Sequence, residues 1–290
     1  MNDVQRRVRN YARALLLAVT TTSLLALPLL FYYLPFWSGK VCYASSDHHL
    51  YFEPFAKLIG ETMRKGRLLL WNPYVHLGMP QVGLTAISLF YPPNILFALL
   101  PYSAAMAGLM AFHQFVAGLG MARLSASLGA RWPAAIVAGV VAGYCGYMFA
   151  LSANYSLVAS IAWLPLAVWS YWRLSRAETT AARSAWCVVS SLLTALTITA
   201  GRPELFVPAL LILAFVCLML LFSLRGKGLA DAERAFAWFS SIAAIAGLLL
   251  AMPMLLPAFE WQSVSPRAEG LPAAHVFIWS ANWYNFLTMV

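Results

Sequence analysis

The feature that most constrains this chain is a series of seven apolar runs, each roughly the length needed to cross a membrane. A helix needs about 20 apolar residues to cross the hydrocarbon core. Of the 290 residues, 62% are hydrophobic and 10% are charged, whereas soluble domains have roughly 45–50% and about 25%. The sequence therefore predicts an all-α polytopic membrane protein, with spans at 14–36, 104–123, 133–151, 156–173, 184–200, 203–224 and 235–257.

An eighth apolar run, 84–100, contains Pro92 and Pro93 at its middle. The two prolines remove backbone donors and disfavour a continuous helix. If this run does not cross, twelve of the nineteen basic residues lie on the side of the N-terminus; if it crosses, six do. The positive-inside rule favours the first arrangement, with the N-terminus in the cytoplasm. We therefore expect one membrane module over 1–290, a first outer loop at 38–83, and a re-entrant or surface segment at 84–101.

Within the first outer loop, apolar residues recur at three- and four-residue steps, at Phe52, Phe55, Ile59 and Met63. Charged residues lie between them, which is typical of an amphipathic helix. A helix of this kind beside a membrane span favours a position in the interface. Our prediction is an interfacial helix in the first outer loop.

Asp47 stands just before this helix, followed by His48 and His49. It could be a helix N-cap or a solvated loop residue. The alternative is a general base or metal ligand at the mouth of a lipid-facing cavity. Adjacent residues on a helix point about 100° apart, so at most one histidine could join Asp47 around an ion. Metal ligation, and with it a divalent cation, stays open; no other cofactor is indicated.

Arg202 and Glu204 flank Pro203 between the fifth and sixth predicted spans. They could pair with each other, or Arg202 could bind an anionic headgroup or phosphate, for which a planar guanidinium is well suited. Arg267, after the last span, is a candidate for the same role. The predicted topology places further polar and aromatic residues on this outer face, and the candidate pocket residues are His48, His49, Trp71, Asn72, Tyr91, Asn154 and Glu204.

Other classes of function are disfavoured by the distribution of residues. The net charge of +9 comes from short basic clusters between apolar runs, without the basic stripe and interleaved aromatics typical of nucleic-acid binding. The sequence contains no nucleophile elbow, Walker motif or HExxH. Gly139, Gly143 and Gly146 in the third span favour close helix packing over phosphate binding.

Four motifs occur in order along the chain: Asp47 with Pro54, WNPY followed by GMP at 71–80, FYPPN at 90–94, and GRPE at 201–204. This set resembles the YfhO-like bacterial membrane proteins of the GT-C superfamily of polyprenyl-phosphate-sugar-dependent glycosyltransferases. The resemblance implies an acidic catalytic residue in the first outer loop, which Asp47 matches, and a seven-span module that holds the donor lipid. The resemblance also implies that longer relatives continue into further spans and an outer domain, which we do not expect within residues 1–290.

The resemblance implies an inverting transfer of sugar from a polyprenyl-phosphate donor to a lipid, glycan or protein acceptor at the outer face of the bacterial cytoplasmic membrane. Asp47 would be the base, favoured over a metal-ligand role because no second carboxylate is adjacent. Arg202 and Arg267 would hold the donor phosphate. Two alternatives are a flippase for lipid-linked sugars, which needs polar groups near the bilayer midplane, and a non-catalytic scaffold, which would tolerate loss of Asp47 and Arg202.

Overall fold

The computed structural model describes residues 3–38, 48–150, 154–265 and 268–270. Within them, seven helical stretches are long and apolar enough to cross a membrane. They are Val19–Trp37, Tyr102–Ser127, Trp132–Ala150, Tyr155–Ser175, Thr180–Thr199, Val207–Arg225 and Ala230–Ser263. Each overlaps one predicted span, so the prediction of an all-α polytopic membrane protein with seven spans is confirmed.

The described residues form eleven α-helices, most of which belong to the spans. They are α1 (Asp3–Trp37), α2 (Glu53–Arg64), α3 (Leu96–Leu99), α4 (Tyr102–Ser127), α5 (Trp132–Tyr144), α6 (Gly146–Ala150), α7 (Tyr155–Ala162), α8 (Leu164–Ser175), α9 (Thr180–Thr199), α10 (Pro203–Arg225) and α11 (Ala230–Ser263). The third span consists of α5 and α6, separated by Cys145 in an extended conformation. The fourth consists of α7 and α8, with a proline in the first turn of α8.

Helix α4 is the central helix of the bundle. It contacts α1, α5, α7 and α8, while α9 packs between α8 and α11. In the most apolar part of α4, 67% of the residues are buried, against 17% in the corresponding part of α10. Since α10 is the most hydrophobic span, its exposed apolar surface fits contact with lipid rather than with water.

Two glycines of α5 allow it to approach α4 closely. A Cβ atom at Gly139 would lie 2.6 Å from the carbonyl oxygen of Gly118, and one at Gly143 would lie 2.6 Å from that of Gln114. The prediction of close packing is therefore confirmed for these two positions. It is wrong for Gly146, where an added Cβ would meet no atom within 4 Å, because the extended conformation of Cys145 interrupts the helix before this position.

The segment 84–101 forms short helical turns and no spanning helix, as predicted. These are the 3-10 helices Thr85–Ile87 and Pro92–Ile95, followed by the four-residue α3. Pro92 and Pro93 begin a helical turn, where a missing N–H costs least, and Ser88 lies at a φ of 53°. The segment therefore changes direction repeatedly within a few residues.

The first loop contains a π-helical turn (His48–Phe52), α2, and a short hairpin in which β1 (Trp71–Asn72) pairs antiparallel with β2 (Met79–Pro80). The apolar face of α2 is covered by protein, because Phe55 and Ile59 pack with Leu69, Ile87 and Leu89. The predicted helix is therefore present, and its apolar side faces the segment 84–101. Its position at the membrane interface stays a prediction.

We predict that Gly139→Ala destabilises the protein by about 1–3 kcal/mol, because the added methyl group forces α4 and α5 apart. Gly108→Ala is the matched control: it also lies inside a helix, and its Cβ would lie 3.6 Å from the Trp37 ring, an ordinary contact. Both changes gain the same helix propensity. Thermal unfolding of the detergent-purified variants should show a lower Tm for Gly139→Ala only; equal Tm values would contradict the close packing.

Candidate functional site

One end of the helix bundle is covered by the loop between the first two spans. The hydroxyl of Ser88 donates a 2.5 Å hydrogen bond to the carbonyl oxygen of Ala200, at the end of α9. A Cβ at Gly83 would lie 2.6 Å from Trp261, near the end of α11. The segments predicted to share one face therefore meet at this end of the bundle. The side of the membrane on which it lies stays a prediction.

Gly201 permits the closest of these contacts. Its φ is +104°, which favours glycine, and a Cβ there would clash with the carbonyl oxygen of Thr85 and the hydroxyl of Ser88. The glycine of the GRPE motif thus has two roles. It permits the backbone conformation of the turn between α9 and α10, and it leaves room for the first loop to pack on that turn. Arg202 follows directly, as the residue before α10.

A chain of buried hydrogen bonds attaches the loop to the bundle. The Tyr155 hydroxyl donates to Asn94 Oδ1 at 2.7 Å, and Asn94 Nδ2 donates to the carbonyl oxygen of Ser88 at 2.7 Å. Ser88 then bonds to Ala200 as described above. These four residues are at most 3% exposed. Because polar groups this deeply buried are costly to leave unpaired, the chain fixes the position of the loop over α7 and α9.

Tyr91 belongs to a second buried hydrogen-bond chain. Its hydroxyl accepts from Trp163 Nε1 at 2.5 Å and lies 2.5 Å from His113 Nε2, while His113 Nδ1 lies 2.6 Å from the carbonyl oxygen of Leu109. A carbonyl only accepts, so Nδ1 carries the proton and Nε2 accepts from Tyr91. Burial raises the pKa of Tyr91, which keeps its phenol a donor. Tyr91 is 1% exposed and lies in the protein interior.

Arg202 belongs to a group of four polar residues, and we refer to Arg202, Ser156, Asn154 and Tyr51 as the Arg202 cluster. Arg202 Nε donates to the Ser156 hydroxyl at 2.8 Å, and Ser156 donates to Asn154 Oδ1 at 3.2 Å. Burial raises the pKa of the Tyr51 phenol, and the positive charge of Arg202 opposes that rise. The structure thus brings Arg202 and Asn154 together with a residue of the first loop.

His48 and His49 occupy different environments. His48 is 1% exposed and its Nε2 shares a 2.5 Å hydrogen bond with the Tyr102 hydroxyl. His49 is exposed, and its Nδ1 lies 3.0 Å from Glu53. A hydrogen bond from Lys57 and a weaker contribution from His49 hold the pKa of Glu53 below its usual range. The two imidazoles therefore bond to different partners, Tyr102 and Glu53.

Several predicted site residues lie outside the residues or side chains that the structure describes. These are Asp47, Arg267 and the side chain of Glu204. Among the described residues, no group of three His, Cys, Asp or Glu side chains could hold a metal ion. Because Asp47 is not among them, metal ligation by Asp47 stays untested.

Trp71 and Asn72 lie in the hairpin rather than in the Arg202 cluster. The Trp71 side chain is largely exposed and packs over Gly78, where a Cβ would lie 2.7 Å from the indole. Asn72 is buried and its Oδ1 accepts from the backbone N–H of Tyr74 at 2.9 Å. The structure thus gives Asn72 a role in shaping the turn.

Sequence reasoning missed Ser156, Tyr51 and Ser88, three residues that position the site. Serine is common in apolar helices, and nothing in the pattern around Ser156 distinguishes it. The left-handed conformation of Ser88 also has no sequence signal, since glycine and asparagine are the usual residues there. Asn94 had a signal, because it ends the FYPPN motif.

Comparison with protein-family models, curated proteins and solved structures found no match to this chain. The resemblance to the YfhO-like proteins therefore stays a prediction that rests on the four motifs.

We predict that Gly201→Ala loosens the loop from the bundle. Gly129→Ala is the matched control, since Gly129 has nearly the same positive φ, +101°, but a Cβ there would meet nothing within 4 Å. Both variants bear a backbone cost of about 1–3 kcal/mol, and only Gly201→Ala adds the clash, about 1–3 kcal/mol. Limited proteolysis should cut the 48–101 loop faster in Gly201→Ala, with a lower Tm. Indistinguishable variants would show that the loop does not depend on this contact.

Proposed function

We propose that this protein is a membrane glycosyltransferase that moves a sugar from a polyprenyl-phosphate donor to an acceptor hydroxyl of the bacterial cell envelope. The observation that carries the proposal is the packing of the first loop on the turn that carries Arg202, at one end of a seven-span bundle. The positive charge of Arg202 also acts on the Tyr51 phenol of that loop. Tyr51 lies four residues after Asp47 in the chain. A cation suited to a phosphate and the first-loop segment that follows a carboxylate therefore come from distant parts of the sequence to one place.

Arg202 is suited to hold the phosphate of the donor. Its Nε bond to Ser156 orients the guanidinium, and a planar guanidinium fork is suited to bind phosphate in a bidentate manner. Phosphate gains negative charge as the bond to the sugar breaks, and a fixed cation stabilises that charge. Arg267 is the proposed second contact. The donor would enter from the lipid, with its prenyl chain along the apolar spans.

Asp47 is the proposed general base. It would take the proton of the acceptor hydroxyl as that oxygen attacks the anomeric carbon from the side opposite the phosphate. The bond between the anomeric carbon and the phosphate oxygen breaks, so the configuration inverts and polyprenyl phosphate leaves. His48, the next residue in the chain, shares a hydrogen bond with Tyr102 at the start of α4.

The proposed location is the bacterial cytoplasmic membrane, with the N-terminus in the cytoplasm and the Arg202 cluster on the outer face. The positive-inside rule supports this orientation, because the N-terminal segment and the loops at the other end of the bundle together carry twelve of the nineteen basic residues. The acceptor, whether glycan, lipid or protein, would then approach from outside the cell.

We predict that Arg202→Gln weakens the binding of polyprenyl phosphate by about tenfold or more, since a charge-assisted contact contributes about 1.5–3 kcal/mol. Arg225→Gln, which removes the same charge at the other end of α10, is the control. Binding would be measured as the rise in Tm of the purified protein on titration with polyprenyl monophosphate. Equal binding by the two variants would remove Arg202 from the phosphate site.

We predict that Asp47→Asn reduces sugar transfer by about 10²- to 10⁴-fold while polyprenyl phosphate still binds, because the lost group is a base. Proteoliposomes would be supplied with polyprenyl-phosphate hexoses and envelope glycan, and transfer followed with radiolabelled sugar. Wild-type turnover in Asp47→Asn would refute the proposed mechanism. Unimpaired movement of the lipid-linked sugar across the bilayer without transfer, in wild type and variant, would favour a flippase.

A further inference from the structure

A groove separate from the Arg202 cluster lies between α2 and the junction of α3 with α4. Its volume is about 120 Å³. The lining includes charged residues from α2 and apolar or aromatic residues from the opposite wall, among them Lys57, Glu61, Arg64, Phe97, Leu100 and Tyr102. It is open to the surface, and the proposed transfer reaction does not use it.

Two cations of the groove are held in place by contacts with both walls. Lys57 Nζ lies 2.7 Å from Glu53 and 5.8 Å from the centre of the Tyr102 ring. Arg64 Nη1 donates to the carbonyl oxygens of Phe97 and Ala98, at 3.4 and 3.3 Å. Within the described residues, these two bonds leave the Nε and Nη2 donors of Arg64 for another acceptor. The guanidinium is thus both oriented and able to bind an anion.

The electrostatics of the groove favour a negative ligand. The stretch 53–67 carries four basic residues, Lys57, Arg64, Lys65 and Arg67, against Glu53 and Glu61. Lys57 offsets Glu53 directly. The groove also lies at the first residue of the 26-residue α4, where the unpaired N–H groups of a helix N-terminus add positive potential. Glu61 opposes this positive potential, but basic residues still outnumber acidic residues in the stretch 53–67 by four to two.

Apolar side chains are exposed beside these cations. Ile95 is 48% exposed, Leu99 68% and Leu100 37%. Leu100 lines the groove, and the other two precede it in the segment that leads into α4. Because α4 is a membrane span, its first turn lies near the depth of lipid headgroups. Basic residues and exposed aliphatic side chains at the end of a span together match the two parts of a phospholipid, its phosphate and its acyl chains.

We propose that this groove binds an anionic phospholipid of the bilayer. The phosphate lies between Lys57 and Arg64, and the acyl chains run along Ile95 and Leu99. A free phosphate ion would use the cations alone, whereas the adjoining aliphatic surface at the end of a span favours a ligand with acyl chains. The bound lipid would tie α2 to the start of α4, and this binding does not depend on the proposed transferase activity.

The test uses the full chain, purified in a neutral detergent and titrated with phosphatidylglycerol, phosphatidylcholine or inorganic phosphate, with Tm as the readout. Phosphatidylglycerol should raise the Tm of the wild type, and the other two should have little effect. In the double variant K57Q/R64Q, the half-saturating concentration of phosphatidylglycerol should rise by about tenfold or more. The control R225Q/K227Q loses the same charge at the far end of α10 and should titrate like the wild type.

Three outcomes would overturn the proposal: equal phosphatidylglycerol titrations for K57Q/R64Q and the wild type, equal stabilisation by phosphatidylcholine, or equal stabilisation by inorganic phosphate. Two further variants keep the test decisive if K57Q/R64Q does not fold. The charge-conserving K57R/R64K should titrate like the wild type. Leu99→Gln, at an exposed position, should weaken the response to phosphatidylglycerol, and an unchanged response would remove the acyl-chain contact.

Discussion

The buried hydrogen bonds from Tyr155 through Asn94 and Ser88 to Ala200 are the interaction on which this end of the protein depends. The segment 84–101 is apolar but not a continuous helix, so its backbone groups cannot all be satisfied locally. Within or beside a membrane, such a backbone is stable only where protein or a wet cavity satisfies it. The side chains of Asn94 and Ser88 pair with this backbone and with α9, which lets a non-helical segment lie on the bundle.

The position of the Arg202 cluster follows from that docking. Ser88 and Gly201 hold the loop against the turn that carries Arg202, and Tyr155, which anchors Asn94, is adjacent in the chain to Ser156, the partner of Arg202. The residues that support the turn are therefore one position away from those that orient the cation. A change in the loop that displaced Gly201 or Tyr155 would therefore also displace Arg202 or Ser156, the next residue in the chain.

The sequence was sufficient to predict the number and approximate limits of the spans, because the length of an apolar run is set by the thickness of the bilayer. The distribution of basic residues between the two sides of the membrane, together with Pro92 and Pro93, was likewise sufficient to exclude 84–101 as a span. The break at Cys145 was not predictable, since an apolar run has the same composition whether its helix is continuous or interrupted. The amphipathic pattern of α2 identified its apolar face, but periodicity does not say whether protein or lipid covers that face.

For the candidate site, topology predicted which segments meet, and it could not predict which atoms pair. Arg202 stood out as an isolated cation between two apolar runs, whereas Ser156 had no such contrast with its neighbours. Tyr91 was predicted to line the substrate pocket, because aromatic residues near span ends suit headgroups and sugar rings. The structure instead gives it two interior partners, Trp163 and His113, which lie far from it in sequence and so left no local pattern.

The contact between Ser88 and Ala200 also has a consequence for biogenesis, because its two residues are 112 positions apart. At a synthesis rate of about 5–20 residues per second, the ribosome needs on the order of ten seconds to make the intervening chain. During that interval the loop has been translated, but the end of α9 on which it packs has not yet been synthesised. Assembly of this end of the protein must therefore wait until the fifth span has been inserted, and a chaperone or insertase has a defined window in which to shield the waiting segment.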